Sequence, residues 1–197
     1  KRVTVIQDTI QEISSSVCEA VARKTQIIVT TGGLGPTFDD KTLQGIAKAF
    51  NRKLEINSEA LEMVRQKCLE YAKKRQLSTE IELTPPRVKM ATLPQKTEVV
   101  NNPVGTAPGI RVEVLGTVLF ALPGVPVEME AMFNETIAPL IKQAVGSSVF
   151  CERSIFADNI MESRLAPLID KVMSGNEEVY VKSHPMRAVS KPHVELH

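Results

Sequence analysis

Two adjacent carboxylates, Asp39 and Asp40, close a turn holding three glycines and a proline: Thr30-Thr31-Gly32-Gly33-Leu34-Gly35-Pro36-Thr37-Phe38-Asp39-Asp40. Paired acids are hard oxygen donors of the kind that hold a divalent cation. Glycines in a turn that enters a helix leave backbone N–H groups uncovered beside the positive end of the helix dipole, a setting that suits phosphate. Carboxylates beside a phosphate repel it unless a cation stands between them. The combination points to metal-assisted binding of phosphate or pyrophosphate. It is neither of the two common phosphate loops. No Lys-Ser/Thr follows the glycines, and the spacing is not G-x-G-x-x-G. A structural role explains part of the segment. Thr37 can cap the following helix, Asp39 and Asp40 can occupy its first turn, and Thr37-x-x-Asp40 approximates a capping box. Capping does not explain three glycines and a proline in one short turn, and the two roles are compatible.

Such a turn needs a strand before it and a helix after it. The apolar run Ile27-Ile28-Val29 predicts a strand over Gln26–Thr30, and Leu43, Ile46, Ala47 and Phe50 predict a helix over Lys41–Phe50. Upstream, Arg2–Gln7 reads as a strand through Val3, Val5 and Ile6. Thr9-x-x-Glu12 then opens a helix with Ile10, Ile13, Val17 and Val21 on one face. Asn57 or Ser58 can cap a helix carrying Leu61, Val64, Cys68 and Tyr71 or Ala72. Pro85-Pro86 breaks the chain, and Val88–Ala91 and Glu98–Val100 read as short strands. A second glycine and proline loop, Asn101–Gly109, precedes a hairpin of Ile110–Val114 and Val118–Leu122. Pro123-Gly124-Val125-Pro126 leads into a helix with Met129, Met132, Phe133, Ile137, Leu140 and Ile141 inward, which Pro139 should kink.

Strands alternating with helices, with a hairpin near the sheet edge, predict an α/β domain. Its three layers, α/β/α, enclose a mostly parallel mixed sheet. Ligands of such sheets bind beyond the carboxyl ends of the strands. The loops Gly32–Asp40, Asn101–Gly109 and Pro123–Glu128 are therefore expected to converge on one pocket. After about Ser147 the pattern changes. Ser154–Ala157, Val179–Lys182 and Pro192–Leu196 read as strands and Glu162–Met173 as a helix. The expected organisation is a domain over 1–146 and the start of a small α+β appendage over 147–197. Lys1 enters a strand at once and His197 ends one, so more sequence is expected on either side.

Composition narrows the chemistry. The 197 residues carry 24 Lys+Arg against 23 Asp+Glu, with 4% aromatic residues, so neither a basic surface nor stacking aromatics favour nucleic acid. No apolar stretch approaches the roughly 20 residues that span a bilayer. Cys18, Cys68 and Cys151 form no C-x-x-C pair; Cys18 and Cys68 fall in helix patterns as buried thiols, and a reducing cytoplasm is the expected location. His193 and His197, on a strand, would stand about 13 Å apart, too far to share a metal. His184-Pro185 reads as a loop.

At four blocks the chain resembles the molybdopterin-binding-like domain of the CinA family, the competence/damage-inducible proteins: Thr30–Asp40 (TTGGLGPTFDD), Lys89–Pro94 (KMATLP), Asn102–Gly109 (NPVGTAPG) and Leu122–Phe133 (LPGVPVEMEAMF). KMATLP and the His184-Pro185 region look most like the stand-alone archaeal members. The same domain occurs in some eukaryotic FAD synthases, and MoaB and MogA are more distant members. The family usually opens with a further strand and a Gly-, Asn- and Glu-bearing loop before the point matched by Arg2, so this domain is expected to lack its first strand. Many bacterial members also carry an amidase domain; deamidation is not expected of this chain. MogA-type proteins have Arg-Asp near the position of Asp39-Asp40.

The resemblance implies a phosphate-bearing pterin or nucleotide as ligand. CinA-like domains are linked to metal-dependent cleavage of the ADP-ribose pyrophosphate, and the FAD-synthase domain to FAD hydrolysis. On this reading Gly32, Gly33 and Gly35 present N–H groups to phosphate, and Asp39 and Asp40 hold Mg²⁺, Mn²⁺ or Co²⁺. Asn102, Gly105, Thr106 and Gly124 contact the ligand, and Thr31, Pro36, Thr37, Pro103 and Pro123 complete the candidate wall. Glu128 is a second carboxylate or, more simply, a partner of its helix dipole. A non-catalytic molybdopterin- or nucleotide-binding module is the alternative. The families resembled also imply a homo-oligomer, a dimer or trimer.

Overall fold

A computed structural model describes residues 2–77, 80–145, 151–186 and 193–197. The chain divides into two compact units, Lys1–Gly146 and Ser147–His197.

In the first unit, Thr9 caps helix α1 (Ile10–Ala22) by accepting the Glu12 N–H, and the Glu12 carboxylate reaches back to the Gln7 N–H. Then follow β1 (Ile27–Thr31), α2 (Thr42–Ala49), β2 (Leu54–Ile56) and α3 (Ser58–Lys74). Asn57 caps α3 through the Ala60 N–H. Next come α4 (Pro85–Met90), β3 (Thr92–Pro94), β4 (Glu98–Val100), β5 (Gly109–Val114), β6 (Thr117–Leu122) and α5 (Pro126–Met132). One π-helical turn, Phe133–Ile137, joins α5 to α6 (Ala138–Val145). This wide turn stands just before Pro139, which has no N–H to continue the ladder.

The main sheet runs β1-β6-β5-β4, and β2 pairs with β3 in a ribbon of two. Side chains of β6 alternate between two cores. Leu119 and Ala121 join a cluster with Val17, Leu43, Ile46, Val64 and Ile110, fed by α1, α2 and α3. Phe120 and Leu122 join Met132 and Ile137 in a second cluster. Helices therefore cover both faces, which is the three-layer α/β/α arrangement. The sheet is mixed, but only β1–β6 is parallel; β6–β5 and β5–β4 are antiparallel. The hairpin lies inside the sheet, not near its edge. Its two-residue turn, Leu115-Gly116, takes positive φ at both positions (51° and 80°), as a type I′ turn requires.

Four other expectations are corrected. Arg2–Gln7 forms no strand: it lines a groove with β1 but pairs with no ladder, and Val3 and Val5 stay over 90% exposed. Val88–Ala91 belongs to α4 and its C-cap, because Pro85 and Pro86 fill the first helical positions, where a missing N–H costs nothing. The helix expected at Lys41 starts at Thr42, and Lys41 makes no side-chain cap bond, so Thr37, Asp39 and Asp40 form a separate turn ahead of it. Cys18 is exposed and Cys68 half-buried.

The second unit holds β7 (Ile155–Asp158), α7 (Glu162–Gly175), β8 (Ser183–Pro185) and β9 (His193–Leu196), in the antiparallel order β7-β9-β8. The strand expected at Val179–Lys182 lies instead at Ser183–Pro185, so His184-Pro185 is strand and not loop. Reciprocal Lys182–His197 backbone bonds of 2.7 and 2.8 Å extend its ladder. Pro192, expected to open β9, lies outside the described residues. His193 pairs with Asp158 and His197 with Glu152. Among the described residues, no helix is long and apolar enough to cross a membrane.

Candidate functional site

Strand register brings the three loops together. Thr31, the last residue of β1, stands opposite Leu122, the last of β6. Ala121 stands opposite Ile110, and Gly109 opposite Val100. The turn after β1, the turn after β6 and the loop between β4 and β5 therefore leave the sheet at one end. All three line a cleft of about 720 Å³. The Gly32 N–H donates to the Leu122 carbonyl at 2.9 Å, and a Cβ on Gly124 would lie 3.2 Å from the Gly32 Cα. The two turns thus touch backbone to backbone.

Gly32 and Gly33 have φ of 98° and 68°, the left-handed region that glycine enters without strain. Thr42, at the head of α2, donates through its hydroxyl to the Gly32 carbonyl (2.8 Å) and through its N–H to the Gly33 carbonyl (3.1 Å). The chain then forms the acidic turn. Asp40 Oδ2 accepts the Thr37 N–H at 2.8 Å. The Thr37 hydroxyl stands 2.5 Å from Asp39 Oδ1 and 2.6 Å from Asp40 Oδ2. That hydroxyl has a single proton and can satisfy one of the two carboxylates at a time. The bond from Thr37, and then one from its own backbone N–H, hold the Asp39 carboxyl below the usual aspartate range. Desolvation opposes these two bonds, and Lys89 and Lys41 add the smallest downward pulls. Asp39 is exposed and Asp40 half-buried. The Lys89 ammonium clamps the turn from α4, donating to the carbonyls of Gly35 (3.0 Å), Thr37 (2.5 Å) and Asp40 (2.8 Å).

The loop between β4 and β5 is organised by Asn102, which is 3% exposed. Its Nδ2 donates to the Ala107 carbonyl (2.9 Å) and to Glu128 Oε2 (2.7 Å), while its Oδ1 accepts the N–H groups of Val104 (3.1 Å) and Gly105 (2.7 Å). Gly105 lies against the Glu128 carboxylate: a Cβ there would come 2.0 Å from Oε2.

The family model described as "Probable molybdopterin binding domain" matches residues 1–143. A protein of Aeropyrum pernix is 43% identical over 197 residues, covering 100% of this chain and 70% of that protein. One of Caldivirga maquilingensis is 44% identical, over 99% of this chain and 72% of that protein. Among solved structures, the CinA protein of unknown function from Thermoplasma acidophilum is 39% identical. It superposes with a TM-score of 0.58 over 68% of this chain and 73% of that one. The chain belongs to the CinA-type family of molybdopterin-binding-like domains.

In this CinA-type domain, Gly32, Gly33, Gly35, Pro36, Asp40, Thr106, Pro123, Gly124 and Glu128 all line the cleft. Asn102 and Gly105 stand behind it, with their amides engaged inside the loop. The Gly32 N–H, expected to face phosphate, is used by Leu122 instead. Thr31, Thr37, Asp39 and Pro103 are not among the lining residues; Thr37 and Asp39 act on the cleft through Asp40, and the Pro103 carbonyl accepts Lys67 Nζ at 2.9 Å. The sequence reading missed Cys68, Tyr71, Thr84, Pro86, Arg87 and Met90, which complete the wall from α3, α4 and the residue before α4. For the α4 residues the signal was present in the Pro-Pro pair, which read as a break and in fact starts α4. Among the described residues, no group of three or more His, Cys, Asp and Glu side chains could hold a metal, so a cation here would rest on the Asp39–Asp40 pair, Thr37 and solvent.

Proposed function

We propose that this cleft binds a phosphate-bearing nucleotide or pterin and that the domain is a divalent-metal-dependent nucleotide pyrophosphatase of the ADP-ribose or FAD type. One observation carries the reading. Asp39 Oδ1 and Asp40 Oδ2 converge on the single Thr37 hydroxyl at the rim of a glycine-lined cleft. Three oxygens around one proton suit a cation, and two carboxylates completed by water are an ordinary Mg²⁺ set. Asp39 and Asp40 would hold Mg²⁺, Mn²⁺ or Co²⁺, and such a cation supplies Lewis-acid activation of a phosphoryl oxygen and of water. The chain does the rest. Gly33 and Gly35 leave room for the Thr42 hydroxyl and the Asp40 carboxylate, Gly124 lets the two turns close on each other, and Thr106 offers a hydroxyl. Lys89 fixes the acidic turn.

One observation favours a second reading, a binding module without turnover. Glu128, the other carboxylate on the wall, already accepts from Asn102. That leaves Asp40 as the lining acid nearest the phosphate turn, and it too is bonded to Thr37. AMP release from ADP-ribose and from FAD, with Mg²⁺, Mn²⁺ or Co²⁺, separates the two. Metal-dependent release that the Asp39→Asn/Asp40→Asn double variant loses by 100-fold or more, on the order of an electrostatic contribution to catalysis, supports the enzyme. Unchanged release in that variant removes the metal role. No release by folded protein that still binds ADP-ribose leaves the binding module. A dimer or trimer belongs to the same reading, and light scattering tests it.

A further inference from the structure

The cleft has two chemically different sets of lining groups. The turns after β1 and β6 and the β4–β5 loop deliver the glycines, Asp40 and Thr106. The helices α3 and α4 deliver Cys68, Tyr71, Pro86, Arg87 and Met90. A phosphate group needs only the first set. The second offers a phenol ring, a proline and a guanidinium, with Cys68 and the buried Met90 behind them, surfaces against which a flat polarisable ring packs.

We propose that this helical wall is a ring-binding subsite and that Tyr71 is its stacking platform, for the heteroaromatic ring of the ligand whose phosphates lie at the glycine turns. The proposal rests on the phosphate-ligand reading of the cleft and adds which part of the ligand is recognised and where. Tyr71 is 54% exposed, although it sits in a helix whose neighbouring turns bury Val64 and Ala72. An exposed tyrosine on a helix is ordinary. This one stands on the wall of the cleft that holds the glycine turns, with a second helix supplying three more residues beside it. Its ring is also braced: the Arg75 guanidinium stands over it, 4.8 Å from the centroid. A ring held by a cation on one side loses little further freedom when a second flat group stacks on it. Arg87 is held as well, donating to the Glu82 carbonyl at 2.6 Å. The cleft volume of about 720 Å³ falls in the range of sites that enclose a whole cofactor-sized molecule.

The test compares ligands with and without a ring on the full chain. Calorimetric titration in Mg²⁺ uses inorganic pyrophosphate, ADP-ribose, and dihydroneopterin triphosphate as the pterin arm. Loss of one stacked base weakens binding by roughly 10- to 100-fold. Tyr71→Ala should therefore weaken ADP-ribose or the pterin by at least about tenfold, whichever the wild type binds, and leave pyrophosphate unchanged. Tyr71→Phe should restore the ring-bearing ligand. Asp40→Asn should weaken all probes that bind. If Tyr71→Ala leaves the ring-bearing ligands within about twofold while Asp40→Asn weakens them, the ring subsite is wrong and the phosphate reading stands. Equal losses of pyrophosphate and ring-bearing ligands in Tyr71→Ala also overturn the proposal, because they mark a structural role. Wild-type protein that binds none of the three probes removes the phosphate reading and the subsite with it.

Discussion

In the loop between β4 and β5, all four hydrogen-bonding positions of the Asn102 amide are engaged. In the turn after β1, two carboxylates crowd one exposed hydroxyl. Both segments are rich in glycine and proline, and both face the same cleft. The first is closed upon itself and carries a buried polar group with full partners, the condition under which such a group stabilises a fold. The second leaves Asp39 exposed and holds Gly32 and Gly33 in left-handed backbone. One loop builds the cleft, and the other presents groups to whatever enters it. Sequence motifs that look alike in composition can thus divide between construction and chemistry.

That division can be broken most severely at Asn102. Asn102→Leu removes the amide and leaves the Ala107 carbonyl, two backbone N–H groups and the Glu128 carboxylate to find other partners. At about 1–3 kcal/mol for each buried group left unmet, and with some of them reaching water, the expected loss is roughly 3 kcal/mol of unfolding free energy. Urea denaturation measures it. A loss under about 0.5 kcal/mol, the size of an ordinary surface change, would mean that the loop does not depend on its asparagine.

The steps from residues to elements show why some of this was readable in advance. Apolar periodicity located α1, β1, α3 and the β5–β6 hairpin, because each buries one face or one alternating set: Ile13 and Val17 on α1, Leu119 and Ala121 against Phe120 and Leu122 on β6. The convergence of the three loops also followed from strand ends and loop chemistry. Two local signals misled. Val3 and Val5 alternate like strand residues, yet a strand exists only through a pairing partner, which local pattern does not contain. Pro85-Pro86 stops one segment and starts another with equal ease, so α4 and its cleft residues Pro86, Arg87 and Met90 were hidden behind an expected strand. Lys89 was visible inside KMATLP, but three carbonyl acceptors from a turn about fifty positions away are a tertiary fact.

A sharper form of the comparison sits at Gly105. Its missing side chain makes room for Glu128, so Gly105→Ala should push the carboxylate off Asn102 and cost about 1–3 kcal/mol, the usual range for overpacking. The cause can be isolated with a double-mutant cycle. In a Glu128→Ala background the clash is gone, and Gly105→Ala should cost at least about 1 kcal/mol less than it does alone. Additive effects would show that the glycine is needed for its backbone and not for the space.

On the presenting side, Lys89→Met should cost less overall, on the order of 1.5 kcal/mol, since one charged donor with several acceptors is worth about that much when partly exposed. Its distinctive consequence is local. Amide exchange should quicken across Gly35–Asp40, the turn the ammonium clamps, and stay unchanged around Asn102. Equal acceleration of both segments would erase the distinction between them.

The smallest effect belongs to Thr37→Val, and it is a change of charge behaviour more than of stability. The Thr37 hydroxyl is the leading cause of the lowered Asp39 pKa, ahead of the bond to its own backbone and the charges of Lys89 and Lys41. A carboxyl whose pKa is lower folded than unfolded stabilises the fold above its unfolded pKa and loses that contribution as pH falls through the folded value. Asp39 therefore favours the folded state at neutral pH and ceases to do so in acid, by a small amount because it is exposed. Without the hydroxyl, the Asp39 carboxyl should titrate closer to an ordinary aspartate, and its part of the acid loss should shrink. Carbon-detected NMR titration of the Asp39 carboxyl reads this directly, while the unfolding free energy at neutral pH should move by less than about 0.5 kcal/mol. An unchanged midpoint would mean that the backbone N–H and the two lysines, and not Thr37, keep Asp39 ionised. The turn would then hold its charge without the hydroxyl contact that distinguishes it from the Asn102 loop.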